Sequence, residues 1–380
     1  MQILPYTEEH QIFRESVKRF CTKELAPHMD EWEKARIVPR SAWKQMGDQG
    51  FLCMDVPEEY GGMGCDFLFS VIVAEELIRA GVTGLMASLH TDIVVPYLTA
   101  FGTEELKQKY LPGCVSGDLI TAIAMTEPNT GSDLAALKTT AVADGDDVVI
   151  NGTKTFISNG INCDLIVVAA RDPEVEDPHQ AIDLYVVEYG TPGFDKGPQI
   201  EKVGLHSQDT AEIFFTDCRV PATNRLGLKG GGFLMLMEKL AQERLMVCIM
   251  AVASAEKMLE WTIAYCQERK AFGKPISKFQ HSQFTIVEMA TEIRLGRTFL
   301  DKLIVDHMEG EHVVVDVSMA KYWTAEMAMR VADRCVQLHG GYGYCEEYPI
   351  ARAWRDTRVL SIFAGTSEIM KVIAARFMGL

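Results

Sequence analysis

The segment DLIVVAARDPEVEDPHQAIDLYVVEYG (164–190) contains two apolar, β-branched runs on either side of a polar stretch. Each run is as long as a typical strand and far shorter than a membrane span. No helical pattern separates the two runs, so a parallel sheet assembled from strand–helix–strand units is disfavoured. The segment therefore predicts antiparallel strands of a small barrel or sandwich.

Similar short runs extend this pattern along the middle of the chain. They are bounded by Gly, Asp, Asn and Pro, and the sequence D-G-D-D at 144–147 indicates a hairpin. The runs are LITAIAM (119–125), DVVING (147–152) and AEIFFTDCRV (211–220). We therefore predict a β-domain over residues 119–228.

The flanking regions have the spacing of amphipathic helices instead. Near the N-terminus, Ile12, Phe13, Val17 and Phe20 form an apolar stripe with charged residues between them. We expect an N-terminal helical domain over residues 1–118 and a C-terminal helical domain over residues 229–380. The other predicted helices cover 69–81, 104–113, 233–266, 280–309 and 313–339, and a last helix begins after Gly365-Thr366-Ser367.

Composition narrows the functional class. Of the 380 residues, 48% are hydrophobic and 24% are charged, as in ordinary globular proteins. The net charge of −16 argues against binding to nucleic acid or to an anionic membrane, since both need a basic face. No apolar stretch approaches a membrane span, and the N-terminus resembles neither a signal nor a transit peptide. We expect a cytoplasmic, bacterial protein.

Several common catalytic motifs are missing from the sequence. It contains no G-x-G-x-x-G after a strand, no Walker loop, no H-E-x-x-H and no G-x-S-x-G. The ten cysteines include no C-x-x-C pair, so we expect no metal site and a reducing environment. The polar, glycine-rich segments lie instead where secondary-structure elements end: MTEPNTGSDL (125–134), KTFISNG (154–160), RKAFGKPISKFQ (269–280), VQLHGGYGY (336–344) and FAGTSEI (363–369).

Together and in this order, these motifs resemble the acyl-CoA dehydrogenase family of flavoproteins, and the resemblance covers nearly the whole chain. It implies an N-terminal helical domain, a small antiparallel β-barrel domain and a C-terminal four-helix bundle. It also implies noncovalently bound FAD at the subunit interfaces of a homotetramer, built as a dimer of dimers. The implied substrate is an acyl-CoA, and the implied electron acceptor is an electron-transferring flavoprotein.

The same resemblance assigns residues to the cofactor. Met125 and Thr126 would reach the pyrimidine side and the N5 edge of the flavin, and Ser158 would donate a hydrogen bond beside it. Phe156 would pack on the ring, although many relatives carry Trp at this position. The partner subunit would supply Arg269, Ala271 and Phe272, with Gln280 nearby, to the diphosphate and adenosine. The further implied FAD contacts are Ser132, Gln337, Gly341, Thr366 and Glu368.

The chemistry implied by the family is removal of an α-proton by a carboxylate while the β-hydrogen leaves as hydride to flavin N5. Most relatives place this Glu immediately before the Gly-Thr of the last motif, where this chain has Ala364. A second family pattern has the base in a Q-E-R sequence, and LAQERLMV (240–247) makes Glu243 the candidate base. This pattern is typical of the long-chain and isovaleryl types, and QERL together with GTSEIM (365–370) is most similar to the long-chain type. The implied substrate contacts are Arg244, the backbone N–H of Ala364, Ser132 and Gly365.

The sequence leaves two roles open for Asp92. It lies in the apolar stretch SLHTDIVVPYL (88–98), either as a solvated or capping residue or as a second base in the pocket. In the second role it would suit 1,4-elimination from an alicyclic or unsaturated acyl-CoA. The same scaffold would also suit an acyl-CoA oxidase, an enoyl-CoA reductase or a non-catalytic flavin-binding relative.

Overall fold

Six α-helices form the first part of the fold in the computed structural model, which describes residues 3–380. Residues 1 and 2 of the predicted N-terminal domain lie outside the described residues. A π-helical segment, Leu89–Val94, leads directly into the fifth helix. The helices are α1 (Glu8–Phe20), α2 (Met29–Ala35), α3 (Arg40–Asp48), α4 (Phe67–Arg79), α5 (Val95–Phe101) and α6 (Glu104–Val115).

Two local predictions for this region are wrong. The sixth helix does not stop at Pro112 but continues to Val115, since a proline in the last turn removes only one backbone hydrogen bond. Ile12 belongs to the predicted buried stripe of α1, yet it is 63% exposed. The rest of the stripe faces the core, since Val17 is buried and Phe13 and Phe20 pack against the core. His10 is also buried, because it forms a capping box with Thr7 and packs on Phe69.

A curled sheet of seven strands follows, in the order β1-β4-β2-β3-β7-β6 with β5 paired to β4. Register shifts in β3 bend this strand, and one of them lies between Lys154 and Ile157. The strands are β1 (Thr121–Ala124), β2 (Thr140–Asp144), β3 (Asp147–Ile157), β4 (Leu165–Arg171), β5 (Ile182–Glu188), β6 (Phe194–Gln199) and β7 (Ala211–Pro221).

The sheet is antiparallel apart from the pairing of β1 with β4 and one residue pair between β2 and β4, which are parallel. A parallel pair needs a long crossover, and here the β2–β3 hairpin takes the place of the usual helix. The hairpin turns at the predicted D-G-D-D sequence, since Asp144 pairs with Asp147. The two segments of 164–190 become the antiparallel neighbours β4 and β5.

Helices form the last part of the chain, and the three longest of them pack around one apolar core, to which one shorter helix and residues of the N-terminal part also contribute. The helix Pro349–Thr357 is not predicted by the sequence pattern, because its sequence is short and rich in Arg. The elements are α7 (Gly232–Glu268), a small hairpin of β8 (Lys270–Ala271) and β9 (Lys274–Pro275), α8 (Gln280–Met308), α9 (Val314–His339), α10 (Pro349–Thr357) and α11 (Ser367–Phe377).

The three-domain architecture expected from the sequence is therefore present, whereas the domain boundaries at 118/119 and 228/229 stay predictions. Helix α7 connects the domains, because it packs on α4 of the N-terminal part as well as on α8 and α9. Within residues 3–380, no helix is both long and apolar enough to cross a membrane.

Candidate active site

Glu243 lies on α7, and only 4% of the residue is exposed. The hydroxyl of Tyr97, on α5, donates a hydrogen bond of 2.9 Å to Glu243 Oε1. Burial raises the pKa of Glu243 to about 7, and the Tyr97 hydrogen bond and the positive charge of Arg244 only partly oppose this shift. A carboxyl with a pKa near neutrality can be unprotonated at rest and can still accept a proton, as a general base must.

The guanidinium of Arg244 is also buried, beside Glu243. Burial lowers its pKa, against the opposing effects of Glu243 and Tyr97. Its Nε is buried and makes no hydrogen bond with any residue in 3–380. A buried donor without an acceptor is costly, so Arg244 is suited to a ligand that brings oxygen acceptors.

The predicted substrate residues Ala364 and Gly365 lie in the loop before α11. Both have a positive φ, +51° for Ala364 and +94° for Gly365. Lys321, a buried residue of α9, donates hydrogen bonds of 2.8 Å to the carbonyl of Phe363 and 2.5 Å to the carbonyl of Gly365. The loop is thus held from the bundle side by a residue that the sequence motifs did not indicate.

Thr366 and Glu368 follow this loop at the start of α11. The Thr366 hydroxyl accepts a hydrogen bond of 3.3 Å from the backbone N–H of Ile369 and caps the helix. Glu368 is exposed in the first turn. Hydrogen bonds from its own backbone N–H and from Thr366 lower the pKa of Glu368.

Asp92 lies in the π-helical segment, with 4% of the residue exposed. Burial raises its pKa to about 7, the nearby Asp55 adds to the shift, and hydrogen bonds with Ser70 and Ser88 oppose it. Its backbone carbonyl accepts a hydrogen bond of 2.7 Å from Nε2 of Gln242, the residue before Glu243. Asp92 is therefore neither solvated nor a helix cap, and it lies close to the helical turn that carries Glu243.

The β-domain side of the site is built around a buried lysine. Lys154 donates hydrogen bonds to the carbonyl of Met125, at 3.1 Å, and to Glu127 Oε1, at 2.9 Å. The backbone N–H of Thr155 donates to the carbonyl of Thr126 at 2.9 Å. These contacts tie the segment after β1 to the end of β3, so Met125 and Thr126 are held in one orientation.

Phe156 and Ser158 lie at the end of β3. Phe156 has φ of +58° beside a register shift, and 65% of the residue is exposed. Ser158 and Thr126 are half-buried, and their hydroxyls make no hydrogen bond with any residue in 3–380. A flavin needs a flat apolar surface and directed polar groups at its edge. The exposed ring of Phe156 and these two hydroxyls without partners fit this requirement.

Seven further residues are predicted FAD contacts. Arg269 ends α7 and lies over the ring of Tyr342, with 5.4 Å between its guanidinium carbon and the ring centre. Phe272 has a positive φ and is 96% exposed. None of this set makes a hydrogen bond or ring contact with Thr126 or Phe156 in the part of the chain that the structure describes. The set consists of Ser132, Arg269, Ala271, Phe272, Gln280, Gln337 and Gly341.

The sequence motifs did not indicate four residues that hydrogen-bond to residues of the site: Tyr97, Gln242, Lys154 and Lys321. Lys154 begins the motif KTFISNG, and Tyr97 lies five residues after Asp92 in the same apolar stretch. A tyrosine in a buried helix usually finds a hydrogen-bond partner, so Tyr97 could have been suspected. The two lysines carry no such signal, because nearly all lysines are exposed.

Comparison with known proteins assigns the fold. The three sequence models described as the acyl-CoA dehydrogenase N-terminal, middle and C-terminal domains match residues 7–118, 122–218 and 230–379. The long-chain specific acyl-CoA dehydrogenase of Sus scrofa mitochondria is 46% identical over 372 residues, which cover 98% of this chain and 86% of the pig protein.

Two solved structures have the same fold. The acyl-CoA dehydrogenase from Geobacillus kaustophilus is 57% identical, with a TM-score of 0.98 and 99% of each chain covered. The FAD complex of PigA is 29% identical, with a TM-score of 0.94 and full coverage of both chains (100% each).

The fold and the site define an FAD-dependent oxidoreductase that acts on CH–CH donors. The chain belongs to the acyl-CoA dehydrogenase family. The family resemblance, the three-domain architecture, the enzyme class and the cofactor predicted from the sequence are thereby confirmed.

Proposed function

We propose that the protein oxidises an acyl-CoA to an enoyl-CoA and that Glu243 is the base that removes the α-proton. The observation that carries the proposal is the buried Glu243 carboxyl, whose pKa is raised to about 7 and whose Oε1 is oriented by Tyr97. Ala364 occupies the place where most relatives have their base, so a carboxylate must come from elsewhere. Glu243 supplies it from α7.

Each protein group has a role in this reaction. Tyr97 holds Oε1, which leaves Oε2 of Glu243 for the α-proton. The backbone N–H of Ala364, with Gly365 beside it, polarises the thioester oxygen, because an α-proton becomes acidic only when negative charge on that oxygen is stabilised. Arg244 and Ser132 complete the contacts to the substrate. FAD, when bound, accepts the β-hydrogen as hydride.

The proposed FAD contacts come from two subunits. Thr126, Met125, Phe156 and Ser158 would hold the flavin ring, and Thr366 and Glu368 would contact FAD at the start of α11, where free backbone N–H groups favour an anion. The remaining contacts would come from the partner subunit, and the exposed side chain of Phe272 is available to a second chain. These residues are Arg269, Ala271, Phe272, Gln280, Gln337 and Gly341.

We infer a homotetramer, which the exposed apolar side chains of the bundle support. Phe284 and Val287 on α8 and Phe377 on α11 are each more than half exposed. Exposed apolar groups on helices commonly mark subunit interfaces. Electron-transferring flavoprotein is the proposed electron acceptor. Ten cysteines without a disulfide favour a reducing compartment, in keeping with the cytoplasm.

A spectroscopic titration tests the proposal. The purified protein should be yellow, with about one FAD per chain, and a panel of straight-chain, branched and cyclic acyl-CoA thioesters should bleach it anaerobically. Loss of flavin is expected in Arg269→Ala and Gln337→Ala but not in Arg330→Ala, which removes an exposed arginine of α9. A protein that takes up FAD but is reduced by no member of the panel would contradict the proposed activity.

A second candidate function is 1,4-elimination from an alicyclic or unsaturated acyl-CoA, with Asp92 as base. The burial of Asp92 and its pKa of about 7 favour it. An oxidase or an enoyl-CoA reductase on this scaffold would be recognised after reduction. Reduced oxidase reacts with oxygen, reduced reductase reacts with the enoyl-CoA, and reduced dehydrogenase passes its electrons to electron-transferring flavoprotein.

A further inference from the structure

Lys154 and Lys321 have no exposed surface, and their surroundings differ. Lys154 forms an ion pair with Glu127 at 2.9 Å. Lys321 has no carboxylate within 4.0 Å among residues 3–380, and its acceptors are the backbone carbonyls of Phe363 and Gly365. Lys321 is thus a buried cation bound only by the loop that carries Ala364.

A buried ammonium group is expensive, and an apolar side chain of the same length would fill this space at lower cost. Burial lowers the pKa of Lys321 to about 8; Cys248 and Glu368 oppose this shift, and Arg244 adds to it. Arg244 and Cys248 belong to α7, one turn apart, and Arg244 follows the candidate base. Lys321 therefore lies between the helix of the base and the loop at residues 363–365.

The loop has a conformation that needs support. Ala364 has φ of +51°, a region that residues with a Cβ atom rarely adopt. The two carbonyls that Lys321 binds belong to the residues on either side of Ala364. The ammonium group therefore fixes the Phe363–Ala364 peptide unit, which carries the Ala364 N–H, and the Gly365–Thr366 peptide unit. A loop pinned on both sides holds its central N–H in one direction.

We propose that Lys321 is a positioning residue, whose ammonium group holds the Phe363–Gly365 loop so that the Ala364 N–H points to the thioester oxygen of the substrate. The inference rests on the proposed function, which assigns the N–H of Ala364 to that oxygen. Lys321 itself does not touch the substrate. It acts through the loop, because the Ala364 N–H can stabilise the thioester oxygen only if the loop holds this donor in place before the substrate binds.

The test compares Lys321→Met with Thr324→Val in the FAD-loaded enzyme. Lys321→Met keeps an unbranched side chain that is only one atom shorter and removes its donors. Thr324 lies one turn further along α9, is also fully buried and donates to the carbonyl of Ala320, so Thr324→Val changes a buried polar group without touching the loop. Backbone hydrogen exchange of the peptide that contains Ala364 and anaerobic flavin reduction by acyl-CoA are both measured.

In Lys321→Met we expect the loop amides to exchange at least about tenfold faster and the limiting rate of flavin reduction to fall about 10- to 100-fold, while KM changes less than about threefold. Thr324→Val should resemble the wild type in both measurements. If Lys321→Met does not fold, Lys321→Gln, which keeps a shorter donor, should show the same two changes at smaller size.

Unchanged exchange in the loop, or faster exchange with a normal reduction rate, would overturn the proposal. A wild-type enzyme that no acyl-CoA reduces would instead overturn the proposed function. Hydrogen exchange in Lys321→Met would then still decide whether Lys321 holds the loop, so the two failures are distinguishable.

Discussion

The hydroxyl of Tyr97 donates a hydrogen bond of 2.9 Å to the carboxyl of Glu243 across 146 residues of sequence. The bond joins α5 of the N-terminal helices to α7 of the bundle and fixes one oxygen of the proposed base. It also lowers the pKa of Glu243, which burial alone would raise further. The two domains therefore meet at the group on which the proposed chemistry depends.

The pH dependence of kcat/KM should report this bond. Glu243 must lose its proton before it can accept another, so kcat/KM should rise with pH through about 7 and then level off. Tyr97→Phe removes a hydrogen bond to a charged group and should move the rise upward by about one pH unit. Stopped-flow flavin reduction across the range measures the shift, and a profile identical to that of the wild type would contradict it.

Removal of the carboxylate should stop the reaction without loss of the cofactor. Glu243→Gln should keep FAD and bind acyl-CoA, while flavin reduction slows by about 10²- to 10⁴-fold because no group accepts the α-proton. Ala364→Glu in the same background should restore part of the rate, since both positions are proposed to reach the same carbon. Anaerobic reduction kinetics measure both effects, and a near-normal rate in Glu243→Gln would show that the base lies elsewhere.

Asp92→Asn separates the two candidate chemistries. If the protein performs ordinary α,β-dehydrogenation, the variant should stay yellow and reduce its flavin with straight-chain or branched acyl-CoA at the wild-type rate. Its stability should change by about 1 kcal/mol, as most single substitutions do. Urea unfolding and flavin reduction on the same sample distinguish the outcomes. A folded, yellow variant that no wild-type substrate reduces would favour Asp92 as the base.

A buried ion-pair network should contribute strongly to stability. The Glu75 carboxylate of α4 binds Arg14 of α1 at 2.8 Å and Arg297 of α8 at 2.6 Å. Burial would raise its pKa, but Arg297 and Arg14 outweigh burial and lower it. Arg14 keeps Glu76 and Arg297 keeps Glu256 as partners, so Glu75→Gln should lower the free energy of unfolding by about 2–3 kcal/mol, the loss expected for hydrogen bonds between charged groups.

Urea unfolding measures this loss, and Glu326→Gln is the matched control. Glu326 pairs with Lys371 at 3.3 Å on the surface, so its replacement should cost about 1 kcal/mol or less. Because the pKa of Glu75 is lowered, its contribution is present above the usual value of 4.5 and is lost as pH falls toward the lowered pKa. Equal losses of unfolding free energy in Glu75→Gln and Glu326→Gln would contradict the prediction that the buried ion pairs contribute more than the surface pair.

Local sequence patterns are sufficient to predict the division of the chain into helical, sheet and helical domains. Strand-length apolar runs such as 165–170 and helical stripes such as 280–309 differ in local period, and a local period can be read without knowledge of neighbours. The five glycine-rich motifs also indicated the family, and LAQERLMV (240–247) indicated Glu243 as the carboxylate that replaces the one missing at Ala364.

The pKa values and the hydrogen-bond partners of these residues depend on the folded chain. Desolvation by segments far away in the sequence raises the pKa of Glu243 and Asp92, and no local pattern shows that Lys321 is buried beneath the Ala364 loop. The parallel pairing of β1 with β4 likewise depends on where a whole hairpin folds. Period and motif are local properties, whereas burial, hydrogen-bond partners and pKa depend on contacts between segments that only the folded chain brings together.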